Sequence, residues 1–223
     1  SCSLMKPLKN WDNKTWLSSK KYINSFSDFL KSIVKINKKT KILDIGCGRA
    51  NLISFLQSQY KFKFKPIGID IIKNKKIKKN INFKKTDAIK YLENNRNFFD
   101  LIIIKQSIHF FSKKKVKKIL IRSKEKLNKD GHILIFSINA NKSTIPSFKL
   151  MKLKLNKSFK KDKILSQQIK KILKKFSSKL FVFNVVISKK KYLKMLKKRY
   201  ISCLLNLTNK EIQKGIEEIN LLY

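Results

Sequence analysis

Short runs of consecutive apolar residues alternate, over the first two-thirds of the chain, with segments whose apolar positions recur at helical spacing. Five such runs predict strands: KILDI (41–45), PIGIDII (66–72), INFKKT (81–86), DLIII (100–104) and HILIFSI (132–138). Ile and Leu are continuous in several of these runs, which is typical of strands covered by helices on both faces. Helical segments are predicted between the strands, at 51–60, 88–94 and 113–127. This β-α order predicts an α/β fold with a doubly wound, Rossmann-like, mostly parallel sheet.

The pattern differs on the two sides of this alternating core, although the whole chain 1–223 is predicted to be a single domain. Residues 1–37 are predicted to form an N-terminal helical cap, with an amphipathic helix at 20–36, and residues 38–140 to form the core. A helical insertion at 141–179 is expected to act as a lid before a sixth strand, LFVFNVVIS (180–188). Two helices are predicted to follow that strand, at 189–205 and 208–221.

The net charge of +42 raises the question of nucleic-acid binding, because phosphate groups are bound by dense positive charge. Only four of the 55 basic residues are arginine, although arginine is the residue that base-reading and phosphate-clamping surfaces usually use. Lysines occur in nearly every predicted helix, and Asn and Ile are abundant while Gly and Pro are scarce. We therefore favour a solvated lysine surface that reflects A/T-rich coding DNA, in a field that still attracts anions.

The remaining composition argues against several classes of protein. The three cysteines form no spaced pair typical of a zinc site or a disulfide framework, and with two histidines a histidine-based metal site is not expected. No apolar run approaches the roughly 18–20 residues of a membrane helix, and the start does not resemble a signal peptide. The sequence thus predicts a cytoplasmic protein with reduced thiols, no metal and no membrane segment. It indicates no oligomeric state.

The stretch KILDIGCGRANL (41–52) carries the clearest chemical signal. A predicted strand ends at a glycine-rich turn, which lets backbone approach a ligand closely, and Asp44 precedes Gly46 and Gly48. The dinucleotide fingerprint G-x-G-x-x-G would need a third glycine where the chain has Asn51. An acid beside the turn would also repel a pyrophosphate. It suits a ligand that carries an ammonium group and no phosphate, such as S-adenosylmethionine.

With these motifs the chain resembles the class I S-adenosylmethionine-dependent methyltransferases, in particular the type 11-like, small-molecule branch. KILDIGCGRANL resembles their first motif, with Ala50 in place of a third glycine. The tight helix packing should tolerate this small departure. IGID, KKTDA, FDLIIIKQSIHFF and LNKDGHILIFS resemble the motifs that follow, in the same order, across roughly 38–140. Lys129 and Asp130 replace the Pro-Gly of the family's fifth-strand turn.

The resemblance implies a set of site residues. Asp70, 22 residues after Gly48, would accept hydrogen bonds from both ribose hydroxyls, and Asp87 would contact the adenine amino group. The expected cofactor-binding residues are Asp44, Gly46, Gly48, Asp70, Ile71, Asp87, Ala88 and Gln106. His109 would be the catalytic residue, acting as a base or orienting the substrate, or else it shapes the pocket wall. Aspartate and glycine also favour any strand-to-helix turn, and for Asp100 and Gly131 we prefer that structural role.

The resemblance predicts in-line methyl transfer from S-adenosylmethionine to a small metabolite. A carboxylate substrate would fit the positive field and need no base. The Asn/Asp-Pro-Pro-Tyr/Phe motif of enzymes that methylate exocyclic nitrogens of bases is not present. Two alternatives stay open: an RNA methyltransferase, with nucleic acid as a less favoured partner, and a catalytically inactive S-adenosylmethionine-binding interaction protein.

Overall fold

A parallel sheet forms the centre of the molecule in the computed structural model, which describes residues 19–105, 111–136, 143–173 and 175–223. Its order is β3-β2-β1-β4-β5, and every neighbouring pair of strands is parallel. The strands are β1 (Ile42–Ile45), β2 (Ile67–Asp70), β3 (Asn82–Lys85), β4 (Phe99–Lys105) and β5 (Leu127–Phe136). The predicted α/β fold with a parallel sheet is confirmed.

Seven α-helices accompany these strands in the described ranges: α1 (Lys20–Ile33), α2 (Asn51–Tyr60), α3 (Ala88–Asn94), α4 (Lys113–Glu125), α5 (Lys149–Ile172), α6 (Lys189–Lys197) and α7 (Asn209–Leu222). Side-chain oxygens accept hydrogen bonds from first-turn N–H groups at five of the helix starts, from the caps Ser19, Asp87, Ser112, Ser188 and Thr208. Such caps define where the helices begin. None of the described helices combines the length and the apolar character that a membrane span requires.

Successive residues of the central strands point to opposite faces of the sheet, and both faces are buried. In β4, Leu101 and Ile103 belong to the core under α1 and α2, whereas Ile102 and Ile104 belong to the core under α3 and α4. Each of these four side chains is at most 2% exposed. The continuous apolar sequence of this strand is therefore explained by helices on both sides.

The expected sixth strand at 180–188 is corrected by the structure, because residues 176–188 pair with no strand in the described ranges. The side chains of residues 181–188 do alternate between half-buried and exposed, as in an extended segment. Phe181 and Phe183 pack edge-on against Tyr22 of α1, with ring centroids 5.9 and 5.1 Å away. The alternation of half-buried and exposed side chains thus comes from packing on aromatic rings of α1. This packing requires no backbone hydrogen bonds to a neighbouring strand.

The fifth strand begins earlier than the sequence pattern predicts. Strand β5 starts at Leu127 and runs through the expected Asp130-Gly131 turn. Asp130 adopts a left-handed conformation, with φ 64°, and the pairing with β4 shifts register between Phe99 and Leu101. An irregularity within the ladder, where three extra residues of β5 lie opposite β4, therefore takes the place of the predicted turn.

A separate apolar cluster joins α5, α6 and α7, and it contains two neutral ionisable groups, the buried Tyr192 and the half-buried Cys203. Burial raises the pKa of Tyr192 to about 12 and that of Cys203 to about 12. Both groups bind protons more tightly in the folded chain than in the unfolded one. Their contribution to stability is thus complete below about pH 9 and is lost as the pH rises toward 12.

We expect the urea midpoint to fall between pH 9 and 11 because of this linkage. Tyr192→Phe removes one of the titrating groups, so its midpoint should fall less steeply over the same range. The variant will have a lower midpoint at pH 8, because the Tyr192 hydroxyl donates a hydrogen bond to the Pro146 carbonyl. If the urea midpoint fell equally steeply with pH in the wild-type protein and in Tyr192→Phe, the titration could not be assigned to Tyr192.

Candidate functional site

The carboxyl ends of four strands lie side by side, which brings together residues that are far apart in sequence. Ile45 is opposite Ile69 on one side and Ile104 on the other, so Gly46 and Asp70 follow at the same level. Asp70 is in turn opposite Lys85, two residues before Asp87. Open α/β sheets bind their ligands at this edge.

The turn after β1 has the backbone conformation that its glycines permit. Gly46 and Gly48 have φ values of 72° and 54°, in the left-handed region. Ala50 shares that region, with φ 59° and ψ 31°, and is completely buried at the start of α2. A left-handed conformation costs an L-residue roughly 1–2 kcal/mol, so backbone strain as well as packing favours glycine at this position.

Most N–H groups of this turn are already hydrogen-bonded within the protein. Gly46 and Cys47 both donate to the carbonyl of Ile69, at 2.9 and 3.1 Å. Gly48 donates to Oδ2 of Asp70 at 3.0 Å, and Ala50 donates to the Cys47 carbonyl at 2.7 Å. No sequence signal marks Ile69, since only its backbone takes part. A phosphate-binding loop presents such N–H groups to its ligand, and this turn does not.

Asp70 fastens the turn to the end of β2. Its Oδ2 accepts from Gly48, and its Oδ1 accepts from the N–H of Ile72 at 3.1 Å. A carboxylate offers about four acceptor positions, so two remain for a ligand that donates hydrogen bonds. The side chain of the adjacent Ile71 is 53% exposed and is available to cover an apolar part of a ligand.

Asp44 and Asp87 differ in their surroundings. Asp44 lies within β1, two residues before Gly46, and is 3% exposed, so a buried carboxyl group belongs to the strand that leads into the glycine turn. Asp87 caps α3: its Oδ1 accepts from Ile89 and Lys90 at 2.9 and 3.2 Å. Its Oδ2 lies 4.0 Å from Nζ of Lys115. The capping role is therefore realised, and the adenine contact of Asp87 stays a prediction.

The other predicted site residues are only partly placed. Ala88 is the first residue of α3 and is buried. Gln106 and His109 lie outside the described residues. Asp100 serves a structural role at the opposite edge of the sheet, as preferred from sequence, where it accepts hydrogen bonds from the Lys41 N–H and the Asn128 side chain. Across the described ranges, no three His, Cys, Asp or Glu side chains group as metal ligands would.

Gly68 of β2 allows the turn to pack closely on the sheet. A Cβ atom at this position would lie 2.8 Å from Sγ and 3.1 Å from Cβ of Cys47. Both contacts are shorter than ordinary van der Waals separations, so the turn would have to move away from β2.

We expect Gly68→Ala to weaken cofactor binding about tenfold or more, because a shift near 1 Å at a positioned site has effects of this order or larger. Isothermal titration calorimetry with S-adenosylhomocysteine measures the loss. Adding Cys47→Ala removes the closest contact and should restore part of the affinity. Unchanged affinity in the single variant would mean that the turn tolerates displacement.

Comparisons with known proteins agree with this architecture. A family model described as "Methyltransferase domain" matches residues 36–200. A protein of an antibiotic biosynthesis pathway from Anabaena variabilis, described as a methyltransferase, superposes with a TM-score of 0.67 at 15% identity, over 88% of this chain and 84% of its own. The plantazolicin methyltransferase BpumL, solved with a desmethylPZN analog and SAH, has a TM-score of 0.52 at 20% identity, over 94% and 82%. These two likenesses concern the fold. No curated protein sequence matches significantly.

Proposed function

Because the chain belongs to the methyltransferase domain family, whose cofactor is S-adenosylmethionine, we propose that it transfers the methyl group of that cofactor to a small molecule. The observation that carries the proposal is the state of the glycine turn. Its N–H groups at Gly46, Cys47 and Gly48 are hydrogen-bonded within the protein, the Asp70 carboxylate lies against the turn, and Asp44 is buried in the strand that leads into it. Such a turn repels a pyrophosphate and favours a ligand that brings a positive charge and hydrogen-bond donors.

The residues at this edge fit the cofactor in the following way. The free acceptor positions of Asp70 would bind the ribose hydroxyls, and Ile71 would lie against the adenine ring. Asp87 and Ala88 would border the adenine amino group, and Gln106 would contact the methionine portion. Asp44, Gly46 and Gly48 would receive the end of the ligand that carries the ammonium group.

When bound, the cofactor supplies a methyl group on a positively charged sulfur, and the bond between them breaks as the substrate's lone pair forms a new bond to carbon. The protein's task is to align the nucleophile with that bond and to exclude water. Effective molarities of about 10⁵–10⁸ M are reached when such alignment is good. His109 would take the proton from an O–H or N–H nucleophile, whereas a carboxylate would need no base.

We favour an anionic small molecule as the substrate. The net charge of +42 raises the local concentration of anions around the whole molecule. Of the two similar proteins named above, one comes from an antibiotic biosynthesis pathway and the other was solved with a desmethylPZN analog, which supports a small-molecule acceptor. A carboxylate is therefore the first class to screen.

Two measurements test the proposal. Calorimetry should give heat with S-adenosylmethionine and its demethylated product and none with a nicotinamide dinucleotide; the reverse result would refute it. Incubation of a metabolite pool with radiolabelled methyl donor should then label small molecules equally with and without nuclease treatment. Label that disappears with nuclease would identify an RNA methyltransferase instead.

A further inference from the structure

A second feature lies at the opposite edge of the sheet from the glycine turn. An open groove of about 560 Å³ is lined by residues that precede or begin β1, β2, β4 and β5. Its lining residues are Lys35, Asn37, Lys39, Thr40, Lys41, Lys63, Phe64, Asp100, Asn128, Lys129 and Asp130. The four residues of β1 separate this amino edge from the carboxyl edge, a distance of about 13 Å. The groove is thus distinct from the proposed cofactor site.

Hydrogen bonds hold the walls of the groove in place. The N–H of Lys63 donates to the Lys38 carbonyl at 2.8 Å, which joins the loop before β2 to the loop before β1. Asp100 accepts from the N–H of Lys41 at 2.7 Å and from the Asn128 amide at 2.8 Å. The groove is therefore formed by two loops and two strand starts that are hydrogen-bonded to one another, and both oxygens of Asp100 already accept hydrogen bonds.

The groove carries an excess of positive charge. Five lysines line it against two aspartates. Within the described part of the chain, none of these lysine ammonium groups lies within 4.0 Å of a carboxylate, unlike those of Lys31, Lys115 and Lys118. Ammonium groups without a counter-charge in a concave surface form a binding site for anions.

An aromatic ring stands among these charges. Phe64 is 46% exposed, and the ammonium groups of Lys41 and Lys63 lie 4.6 and 5.6 Å from its ring centroid. An exposed ring with adjacent cations is the arrangement on which single-stranded nucleic acids bind, since a base stacks on the ring and the flanking phosphates contact the cations. A simple inorganic anion would make no use of the ring.

We propose that this groove binds single-stranded nucleic acid, for which RNA is the probe, with a base stacked on Phe64 and phosphates on Lys35, Lys39 and Lys63. This groove is separate from the proposed methyl-transfer site. The proposal does not depend on which substrate accepts the methyl group. Because lysine is abundant over the whole surface, the test compares the groove with equally charged positions elsewhere.

The 223-residue chain is titrated into a fluorescein-labelled ten-nucleotide oligo(U) RNA, with anisotropy read between 50 and 200 mM salt. The variant K35Q/K39Q/K63Q should bind at least about tenfold more weakly at 100 mM salt, and its log K against log salt slope should be shallower by about two. Phe64→Leu should weaken binding about fivefold or more and leave that slope unchanged.

Matched controls separate the groove from the general field. K190Q/K197Q/K214Q removes the same charge from exposed positions of α6 and α7, and Phe176→Leu removes a ring that is 43% exposed with a lysine 5.4 Å from its centroid. Both should change affinity less than twofold. S-adenosylhomocysteine binding should be equal in all four variants. This measurement distinguishes a failure of the proposed function from a failure of the groove proposal.

Three results would overturn the proposal. Equal losses in the groove and control variants would mean that the overall charge binds RNA. Normal RNA binding by Phe64→Leu would mean an anion site without stacking. Groove-dependent binding of vesicles containing phosphatidylcholine and phosphatidylserine, without groove-dependent RNA binding, would identify a membrane-surface site instead.

Discussion

Asp70→Asn is expected to reduce affinity for S-adenosylhomocysteine at least about 100-fold. Each hydrogen bond to a charged group contributes about 1.5–3 kcal/mol, and two ribose hydroxyls would lose their carboxylate acceptor. The change also affects the turn, because Asp70 accepts from both Gly48 and Ile72. An amide has one acceptor oxygen and presents an NH₂ group to the other N–H donor. Calorimetry measures the affinity, and thermal unfolding of the unliganded protein shows whether the fold is retained.

A ligand lacking the 2′-hydroxyl separates the two effects of this substitution. The wild-type chain should lose about tenfold or more in affinity for the 2′-deoxy product, whereas Asp70→Asn should lose little further. Asp28→Asn, at an exposed position of α1, serves as the control and should bind normally. A folded Asp70→Asn variant with wild-type affinity would mean that the sugar is bound elsewhere.

The five strands of the sheet and the glycine turn after β1 could be predicted because their signals are local. The apolar run Ile42–Ile45 needs no distant information to indicate a strand buried on both faces. The 22-residue spacing of Gly48 and Asp70 matches one β-α-β unit, and the structure joins the two by a hydrogen bond of 3.0 Å. In such a unit the two strands pair in parallel, so residues at their carboxyl ends lie close together although they are far apart in sequence.

Features that depend on a distant partner could not be predicted in the same way. LFVFNVVIS has the composition and alternation of a strand, but a strand also needs a neighbour with free N–H and C=O groups. Its aromatic side chains are instead covered by α1, about 160 residues earlier in the chain. The groove around Phe64 likewise combines four separate segments of the chain, and no single stretch of sequence signals it. The strain at Ala50 is visible only once its φ is known.

Gly215→Ala is expected to destabilise the protein, although alanine is the better helix former. Gly215 lies within α7, where alanine alone would gain about 1 kcal/mol. A Cβ atom there would lie 2.5–2.6 Å from three carbons of the Phe148 ring, which is 1% exposed. Overpacking of a buried site costs about 1–3 kcal/mol or more, and a contact this short belongs at the upper end. The clash therefore exceeds the gain in helix propensity.

We expect a net loss of about 2 kcal/mol for this variant, which lowers the Tm of a chain of this size by roughly 4–8 °C. Lys214→Ala, at an exposed neighbouring position in the same helix, should change stability by less than about 0.5 kcal/mol. Phe148→Leu should reduce the penalty of Gly215→Ala, since the smaller side chain leaves room for the added methyl group. The ring of Phe148 and the Lys149 N–H, which donates to Glu218, together fix the start of α5 on α7. A higher Tm for Gly215→Ala would mean that the contact between α5 and α7 can move enough to accommodate a methyl group. Helix propensity would then decide the sign of the change in the free energy of unfolding.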